Sequence, residues 1–414
     1  MMKRLKNIVK RILVFLWVMG PAFITSVADN DASGVASYTV AGARTGYSLL
    51  SVLTISTLLL IGIQEMSARL GIVTGRGLTE IIRETYGVQI GFFCLLLHII
   101  TTFSTAVAEI AGIAGSMELL GVSRFIAVPL FTIGLFFIIY FWNYKFLERF
   151  FLSLTVFYFC YFISALLVKP DWGEIIYRIF VPDIKAFLKR EGFYLSIIII
   201  GTTITPWMQY YLQSSVVEKG IRKEHIPYVR WEVIIGAFAT QFFALFMMVC
   251  AGEVLYPYGI RVETVEEAGM ALKPLAGKYF YLLFSIGFLN ASLMGALILP
   301  ISSAYAICEF FGWEGGVNKT FQEASHFYIT LALYYIFGAM LVLIPGMPLI
   351  TLMLVSQFLN GILLPLLIFL MLKVANSEEV MGDLKNSPFS NFIAIFTVAV
   401  VIIATFFTIF PMQK

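Results

Sequence analysis

Long apolar stretches recur along almost the whole chain, and they constrain its fold more than any other feature. Many of them reach the ~20 apolar residues that an α-helix needs to cross a bilayer. Hydrophobic residues make up 60% of the sequence and charged residues only 13%, whereas a soluble domain is nearer half apolar and a quarter charged. The sequence therefore predicts an all-α polytopic membrane protein, with its many spans in the cell membrane.

Eleven spans are predicted, and together they form a single transmembrane domain over residues 1–414. Their approximate bounds are 12–45, 48–73, 88–120, 123–142, 150–168, 193–216, 229–253, 277–308, 327–344, 349–373 and 389–411. The first five form repeat one (about 12–168), the next five form repeat two (about 193–373), and the last is an extra helix. Between the repeats, Ile175, Ile176, Ile179 and Phe180 fall at helical spacing, which predicts an amphipathic surface helix over about 171–191.

Charge and cysteine usage exclude some classes of function and indicate how the chain is oriented in the membrane. A net charge of +3 argues against a nucleic-acid partner, which would require a basic face. Lys and Arg are more frequent in the segments that lie inside if the basic start "MMKRLKNIVKR" is cytoplasmic, so we expect the N-terminus inside. The four cysteines are scattered in apolar runs without metal-ligand spacing, so we interpret them as buried apolar side chains. No cofactor is expected.

Two carboxylates, Asp29 and Asp31, interrupt the first predicted span in the stretch "DNDASG". A carboxylate near the bilayer centre costs at least ~2.5 kcal/mol on insertion scales, so two are tolerable only in a wet cavity or beside a cation. The alternative is that they pair with a buried Arg or Lys, yet no basic residue lies in the middle of any predicted span. The small residues that follow predict an unwound break in the helix.

A second break is predicted in the sixth span, within "IIIIGTTITPWMQYYLQSS". Gly201 is followed by Thr202, Thr203 and Thr205, and Pro206 removes an amide donor and disfavours helical geometry at the residue before it. Paired interruptions at corresponding positions of two halves are typical of inverted-repeat transporters, whose site lies between the breaks. The half-helix C-terminal ends and the two carboxylates favour a cation there.

Several motifs resemble the NRAMP family of divalent-metal transporters. The resemblance covers "GPAFITSVADNDASGVASYTVAGARTGYSLL", "SARLGIVTGRGLTEIIRETYG" and "AEIAG" in the first half. It continues in "TPWMQYYLQSS" and "SQFLNGILLPLL" in the second half. The family implies a leucine-transporter-type fold, with two inverted five-helix repeats plus one extra helix and with helices 1 and 6 broken.

The resemblance also implies a ligand set, and this chain departs from it at two positions. The family motif Asp-Pro-Gly-Asn stands here as Asp31-Ala32-Ser33-Gly34, so the metal-binding acid is kept and the Asn is replaced by Gly34. The family places a backbone carbonyl at Thr202, a metal-binding Met at the position of Thr205 and a Gln at Gln357. This pattern resembles the divergent NRAMP-related branch to which magnesium and manganese transport is ascribed.

The candidate metal ligands all supply oxygen atoms. Gly34 and Thr205 stand where the family has Asn and Met, so the cavity is expected to be roomier. The candidate set consists of Asp31, Asp29, Ala28, Thr202, Thr205, Gln357, Asn30, Asn360 and Gly34. Oxygen shells favour hard cations such as Mg²⁺ and Mn²⁺, and Mg²⁺ keeps several of its waters. Thr hydroxyls bonded to their own helix, or amides that only bridge helices, are the structural alternative for several of these residues. The expected substrate is therefore a hard divalent cation.

Proton coupling is not expected from these residues. Where the family carries a pathway His and Asp, this chain has Trp207 and Ala106, while Glu109 matches the acidic partner. Glu109 and Gln209 are possible proton-handling residues or supports for the metal ligands, although each could be purely structural. One isolated carboxyl has no obvious relay partner, so the sequence predicts uniport. The main alternative is that Asp29 and Asp31 carry a proton, because two nearby acids can share one.

Functions other than cation import fit these residues less well. A cation-coupled amino-acid or other small-solute transporter of the same fold is the main alternative, but two acids at the break would repel a substrate carboxylate. A membrane enzyme finds no support, because the sequence contains no clustered His, nucleophile motif or soluble domain. A non-transporting receptor stays possible, and the oligomeric state is not determined by the sequence.

Overall fold

A computed structural model describes residues 14, 15, 18, 20–141, 146, 153 and 155–410, and these residues form helices and turns without a strand. Eight of the described helices are long and apolar enough to cross a membrane. They are α2 (Leu50–Thr74), α3 (Val88–Leu119), α4 (Arg124–Phe141), α7 (Ile226–Val254), α8 (Phe280–Phe311), α9 (Ser325–Val342), α10 (Leu349–Ala375) and α11 (Pro388–Ile409).

The remaining predicted spans are interrupted or short. They are α1a (Pro21–Val27) with α1b (Ala32–Thr45), α5 (Phe159–Val168), and α6a (Arg190–Thr203) with α6b (Pro206–Glu218). With these, the described part of the chain accounts for the eleven predicted spans and for both predicted breaks. The first break is shorter than predicted, because Ala32, Ser33 and Gly34 are not unwound but form the first turn of α1b, which Asp31 caps. The basic segment 1–11, the start of the first span and most of 150–154 lie outside the described residues.

The predicted surface helix over 171–191 is instead two short helices, Trp172–Phe180 and Ile184–Phe187. Each has its own aspartate cap: Asp171 accepts the amides of Gly173 and Glu174 at 2.8 and 3.2 Å, and Asp183 accepts that of Ala186 at 3.1 Å. Pro182 separates the two because it cannot donate a helical hydrogen bond. The Ala186 amide also holds the pKa of the Asp183 carboxyl below its ordinary value.

Several connecting helices were not anticipated. They are Leu78–Tyr86 between α2 and α3, Val265–Gly269 and Lys273–Ala276 between α7 and α8, and Glu378–Met381 after α10. Short 3₁₀ turns accompany them at Thr155–Tyr158, Lys223–His225, Tyr256–Tyr258, Met270–Leu272, Gly277–Tyr279 and Gly382–Leu384. Each of them is much shorter than the ~20 residues of a membrane span, so they add no span to those predicted.

Glycines allow the helices around the two breaks to approach closely. A β-carbon on Gly42 of α1b would lie 2.3 Å from the Met248 carbonyl oxygen of α7, and one on Gly201 of α6a would lie 2.2 Å from the Gln357 carbonyl oxygen of α10. Small residues at such crossings are typical of membrane helix packing. Both broken helices are therefore held against unbroken ones, with their breaks in the interior.

Candidate functional site

The two breaks expose backbone groups at the centre of the helix bundle. The α1 break comprises residues 28–31, and Asp31 has extended backbone (φ −67°, ψ 179°) and caps α1b by accepting the Gly34 amide at 2.7 Å. The α6 break falls at Ile204 (φ −125°, ψ 67°) and Thr205, and Pro206 is the first residue of α6b. Proline suits that position because its missing N–H has no helical partner there.

Three oxygen atoms, two from the α1 break and one from the last turn of α6a, lie close to one another at Gly34. A β-carbon built on Gly34 would lie 2.5 Å from the Asp29 carbonyl oxygen, 3.3 Å from the Thr202 hydroxyl and 3.4 Å from Asp31 Oδ1. The three oxygens therefore surround one point beside the glycine, where any side chain would obstruct them. A carbonyl, a hydroxyl and a carboxylate are the donor types that hard cations take in proteins.

Several buried polar atoms at and next to the two breaks have no hydrogen-bond partner among the described residues. Both carboxylate oxygens of Asp29 are unpartnered in the described part of the chain, and so are the hydroxyls of Thr202 and Thr205. These residues are at most 1% exposed, so they are shielded from bulk solvent. Buried polar atoms are nearly always paired with protein, water or an ion, so these atoms are candidates for binding a ligand.

Glu109 of α3 accepts hydrogen bonds from the N-terminal end of α1b, next to Asp31. Its two side-chain oxygens accept the Ala32 amide at 2.9 Å, the Ser33 amide at 3.2 Å and the Ser33 hydroxyl at 2.5 Å. Negative charge is stabilised at a helix N-terminus, where the first amides have no helical partner. The structure thus places Glu109 behind Asp31 as a second acid at the start of α1b.

The amide side chains of the predicted set are placed differently from one another. Asn360 donates to the Gln357 side-chain oxygen at 2.9 Å and to the Thr105 hydroxyl at 3.1 Å, so these two α10 residues are partly satisfied by each other. Asn30 donates to the Thr240 carbonyl of α7 at 3.0 Å. The Gln209 side chain has no hydrogen-bond partner among the described residues.

Four of the predicted residues meet at the point beside Gly34, namely Asp29, Asp31, Thr202 and Gly34 itself. The Ala28 carbonyl lies just past the last residue of α1a. The other predicted residues of the second half are buried, and they are Thr205, Gln209, Gln357 and Asn360. The structure therefore brings oxygen atoms of Asp29, Asp31 and Thr202 together beside Gly34.

The sequence did not predict two tyrosines that form hydrogen bonds at or beside the breaks. Tyr38 of α1b pairs its hydroxyl with that of Thr203 at 3.0 Å, and Tyr158 donates to the Asn30 carbonyl inside the α1 break. Tyr38 lies seven residues after Asp31, two helical turns along the same face, which is a signal that could have been used. Tyr158 has no local signal, because its contact depends on the packing of distant segments.

A family model for natural resistance-associated macrophage protein-like proteins (Nramp) matches residues 22–411. The chain belongs to the Nramp family. The "Divalent metal cation transporter MntH" of Caldanaerobacter subterraneus is 24% identical over 400 residues, which are 94% of this chain and 91% of that protein. The family predicted from the sequence motifs is confirmed.

Solved structures confirm the predicted fold. The manganese transporter of Eremococcus coleocola superposes with a TM-score of 0.81 at 18% identity, covering 97% of this chain and 89% of that one. MhsT, solved in complex with L-phenylalanine, superposes with a TM-score of 0.63 at 14% identity, covering 94% and 97%. This Nramp-family chain therefore has the leucine-transporter-type fold. It is a multi-pass membrane transporter and not an enzyme.

Proposed function

We propose that this Nramp-family protein imports a hard divalent cation, Mg²⁺ and/or Mn²⁺, through the site between the α1 and α6 breaks, without a coupled proton. Divalent-cation transport is supported by the names of related proteins, which include a divalent metal cation transporter and a manganese transporter. The observation that carries the choice of a hard cation is the meeting of the Asp29 carbonyl, the Asp31 carboxylate and the Thr202 hydroxyl beside Gly34.

Charge and donor chemistry both favour a small divalent ion. Asp29 and Asp31 supply two carboxyl groups to the α1 break, and one divalent cation would neutralise them when both are ionised. The described residues contain no cluster of three His, Cys, Asp or Glu side chains able to hold a metal, so the remaining donors must be neutral oxygens or water. Mg²⁺ retains several waters when bound, and the absence of a side chain on Gly34 leaves room for them.

Passive entry suffices for accumulation in a cell that is negative inside. Moving one elementary charge through 100 mV is worth about 2.3 kcal/mol, so a divalent ion gains about 4.6 kcal/mol. That energy corresponds to a concentration ratio of a little over 10³. A coupled proton is therefore not required to drive import.

The residues near the site also argue against a proton relay. Trp207 and Ala106 cannot titrate, and α9 carries no Lys or Arg. Glu109 is engaged by two amides and a hydroxyl at the start of α1b. His98 of α3 is buried, and its ring lies tilted against that of Tyr210 with a centroid distance of 4.0 Å.

Uniport is tested in proteoliposomes that carry a pH-sensitive dye under an imposed membrane potential. We expect Mg²⁺ or Mn²⁺ uptake with no change in luminal pH, because Trp207 and Ala106, which stand at the positions of the family's pathway His and Asp, cannot titrate. Glu109→Gln and His98→Asn serve as paired variants. Luminal acidification that follows metal influx, and disappears in either variant, would establish proton coupling and overturn this part of the proposal.

A small-solute transporter is the second candidate, since MhsT, whose structure contains L-phenylalanine, has the same fold. A zwitterionic substrate would place its carboxylate against Asp29 and Asp31, and among the described residues the Asp29 carboxylate has no hydrogen-bond partner to relieve that repulsion. Calorimetry that finds amino-acid binding and no Mg²⁺ or Mn²⁺ binding would favour this alternative.

Thr205→Met is expected to change the metal preference. Thr205 is buried at the α6 break with its hydroxyl unpartnered, and a thioether there supplies a soft ligand that favours Cd²⁺ over Mg²⁺. We expect Cd²⁺ affinity to rise and Mg²⁺ affinity to fall, each by about tenfold, the ratio that 1.4 kcal/mol produces. Thr205→Val, which removes the hydroxyl without adding sulfur, is the control. If both variants keep the wild-type metal order, ligand type at this position does not set selectivity.

A further inference from the structure

A second buried carboxylate contact lies at the other end of α1a, away from the cation site. Glu232 of α7 is 1% exposed, and its Oε1 atom accepts the backbone amides of Gly20, Ala22 and Phe23 at 2.6, 3.0 and 3.1 Å. Pro21 has no N–H, so these are all the amide donors that residues 20–23 possess. Glu232 therefore caps α1a from a different helix.

One face of α7 follows α1a from its first residue to the break. Glu232, Gly236 and Thr240 are four residues apart and so lie on the same side of the helix. A β-carbon on Gly236 would lie 2.9 Å from the Ser26 hydroxyl, and the Thr240 carbonyl accepts the Asn30 side-chain amide at 3.0 Å. The position of α1a along α7 is thus set at its start, its middle and its end.

The Glu232 contact is the only one of the three α7 contacts that brings a carboxylate to α1a. A buried polar group is costly unless it is hydrogen-bonded, and here Glu232 accepts three backbone amides that have no helical partner at the start of α1a. A seven-residue helix is only about 10 Å long and is unstable by itself. Its orientation must therefore come from neighbours, and its far end carries the Ala28 and Asp29 carbonyls.

We propose that Glu232 is a positioning residue that docks α1a on α7 and thereby places the Asp29 carbonyl in the cation site. The docked arrangement binds the cation and an undocked α1a does not. Docking and cation binding are then coupled, and each must strengthen the other by the same factor. The binding half of this inference rests on the proposed function, whereas the docking half does not.

The test combines hydrogen–deuterium exchange over residues 20–28 with calorimetry of Mg²⁺ and Mn²⁺ on the full-length protein. In the absence of metal, Glu232→Ala should speed exchange of the Ala22 and Phe23 amides by about tenfold or more. It should also weaken apparent metal affinity by about tenfold, because the competent state loses population. Glu232→Gln keeps a carbonyl oxygen that accepts amides and should recover most of both effects.

A matched control is available on the same helix. Glu253 of α7 accepts the Tyr47 hydroxyl far from α1a, so Glu253→Gln should leave exchange over 20–28 and metal affinity at wild-type values. In wild type and in this control, Mg²⁺ should slow exchange of the Ala22 and Phe23 amides. A general loss of stability would not reproduce that metal-dependent protection or its recovery in Glu232→Gln.

Wild-type exchange and wild-type affinity in Glu232→Ala would overturn the proposal. If Glu232→Ala does not fold, Gly236→Ala perturbs the same docking through its clash with Ser26, and unchanged affinity and exchange in that variant would overturn it equally. A wild-type protein that binds neither Mg²⁺ nor Mn²⁺ would refute the proposed function. The metal-free exchange comparison would still decide whether Glu232 docks α1a.

Discussion

Asp31→Asn is expected to abolish saturable Mg²⁺ or Mn²⁺ uptake while leaving the fold intact. Asparagine caps a helix about as well as aspartate, so it can keep the bond from the Gly34 amide and lose only the negative charge. Removing one partner of a buried charged pair costs roughly 2–5 kcal/mol. We therefore expect affinity to fall about a hundredfold or more, measured by calorimetry and by uptake into proteoliposomes.

Asp171→Asn is the control for this substitution. Asp171 also caps a helix, through the amides of Gly173 and Glu174, but it lies on the surface segment and should retain full uptake. Asp29→Asn should weaken binding less than Asp31→Asn if its carboxylate acts mainly through charge. Unchanged affinity in Asp31→Asn would place the metal site elsewhere in the protein.

Gly34→Ala is expected to reduce transport by at least about tenfold. The added methyl group would lie 2.5 Å from the Asp29 carbonyl oxygen and within 3.4 Å of both Thr202 Oγ1 and Asp31 Oδ1. The carbonyl belongs to the backbone of the break, so it can move away only if the α1 break shifts. The three oxygens would then no longer surround one point, and the loss should appear in metal affinity as well as in rate.

Gly134→Ala provides the comparison, because a β-carbon at Gly134 in α4 meets nothing within 4 Å. Alanine is also a better helix former than glycine, so this variant should be as stable as wild type and fully active. Thermal unfolding of Gly34→Ala in detergent separates a damaged site from a damaged fold. Full transport by Gly34→Ala would show that the cation does not occupy the space beside this residue.

Local sequence was sufficient to predict where the membrane spans lie and which two of them are broken. Runs such as the one that became α8 (Phe280–Phe311) exceed the bilayer requirement by composition alone. The breaks could be found because Asp29 and Asp31 are too costly for a continuous apolar helix, and because Pro206 cannot continue one. These are properties of short segments, so they are visible without knowledge of the packing.

The surface segment shows a limit of local reasoning. The spacing of Ile175, Ile176, Ile179 and Phe180 correctly indicated a helix, and the structure begins and ends it at Trp172 and Phe180. The spacing predicts one helix that continues through Pro182 to residue 191, but aspartate caps at Asp171 and Asp183 divide the segment into two helices. Caps and proline compete with hydrophobic periodicity, and here they determine where each helix stops.

Only the tertiary structure decided which distant groups meet the breaks. The sequence by itself determined the membrane class, the family, the broken helices and the acids of the α1 break. It could not assign Glu109 to the start of α1b or Glu232 to the start of α1a, because each carboxylate reaches amides on another helix, 76 or more residues away. Nor could it show that the Asp29 carbonyl meets Thr202 at Gly34. Hydropathy and helix breaking depend on neighbouring residues, whereas these contacts depend on which helices pack together and at what depth.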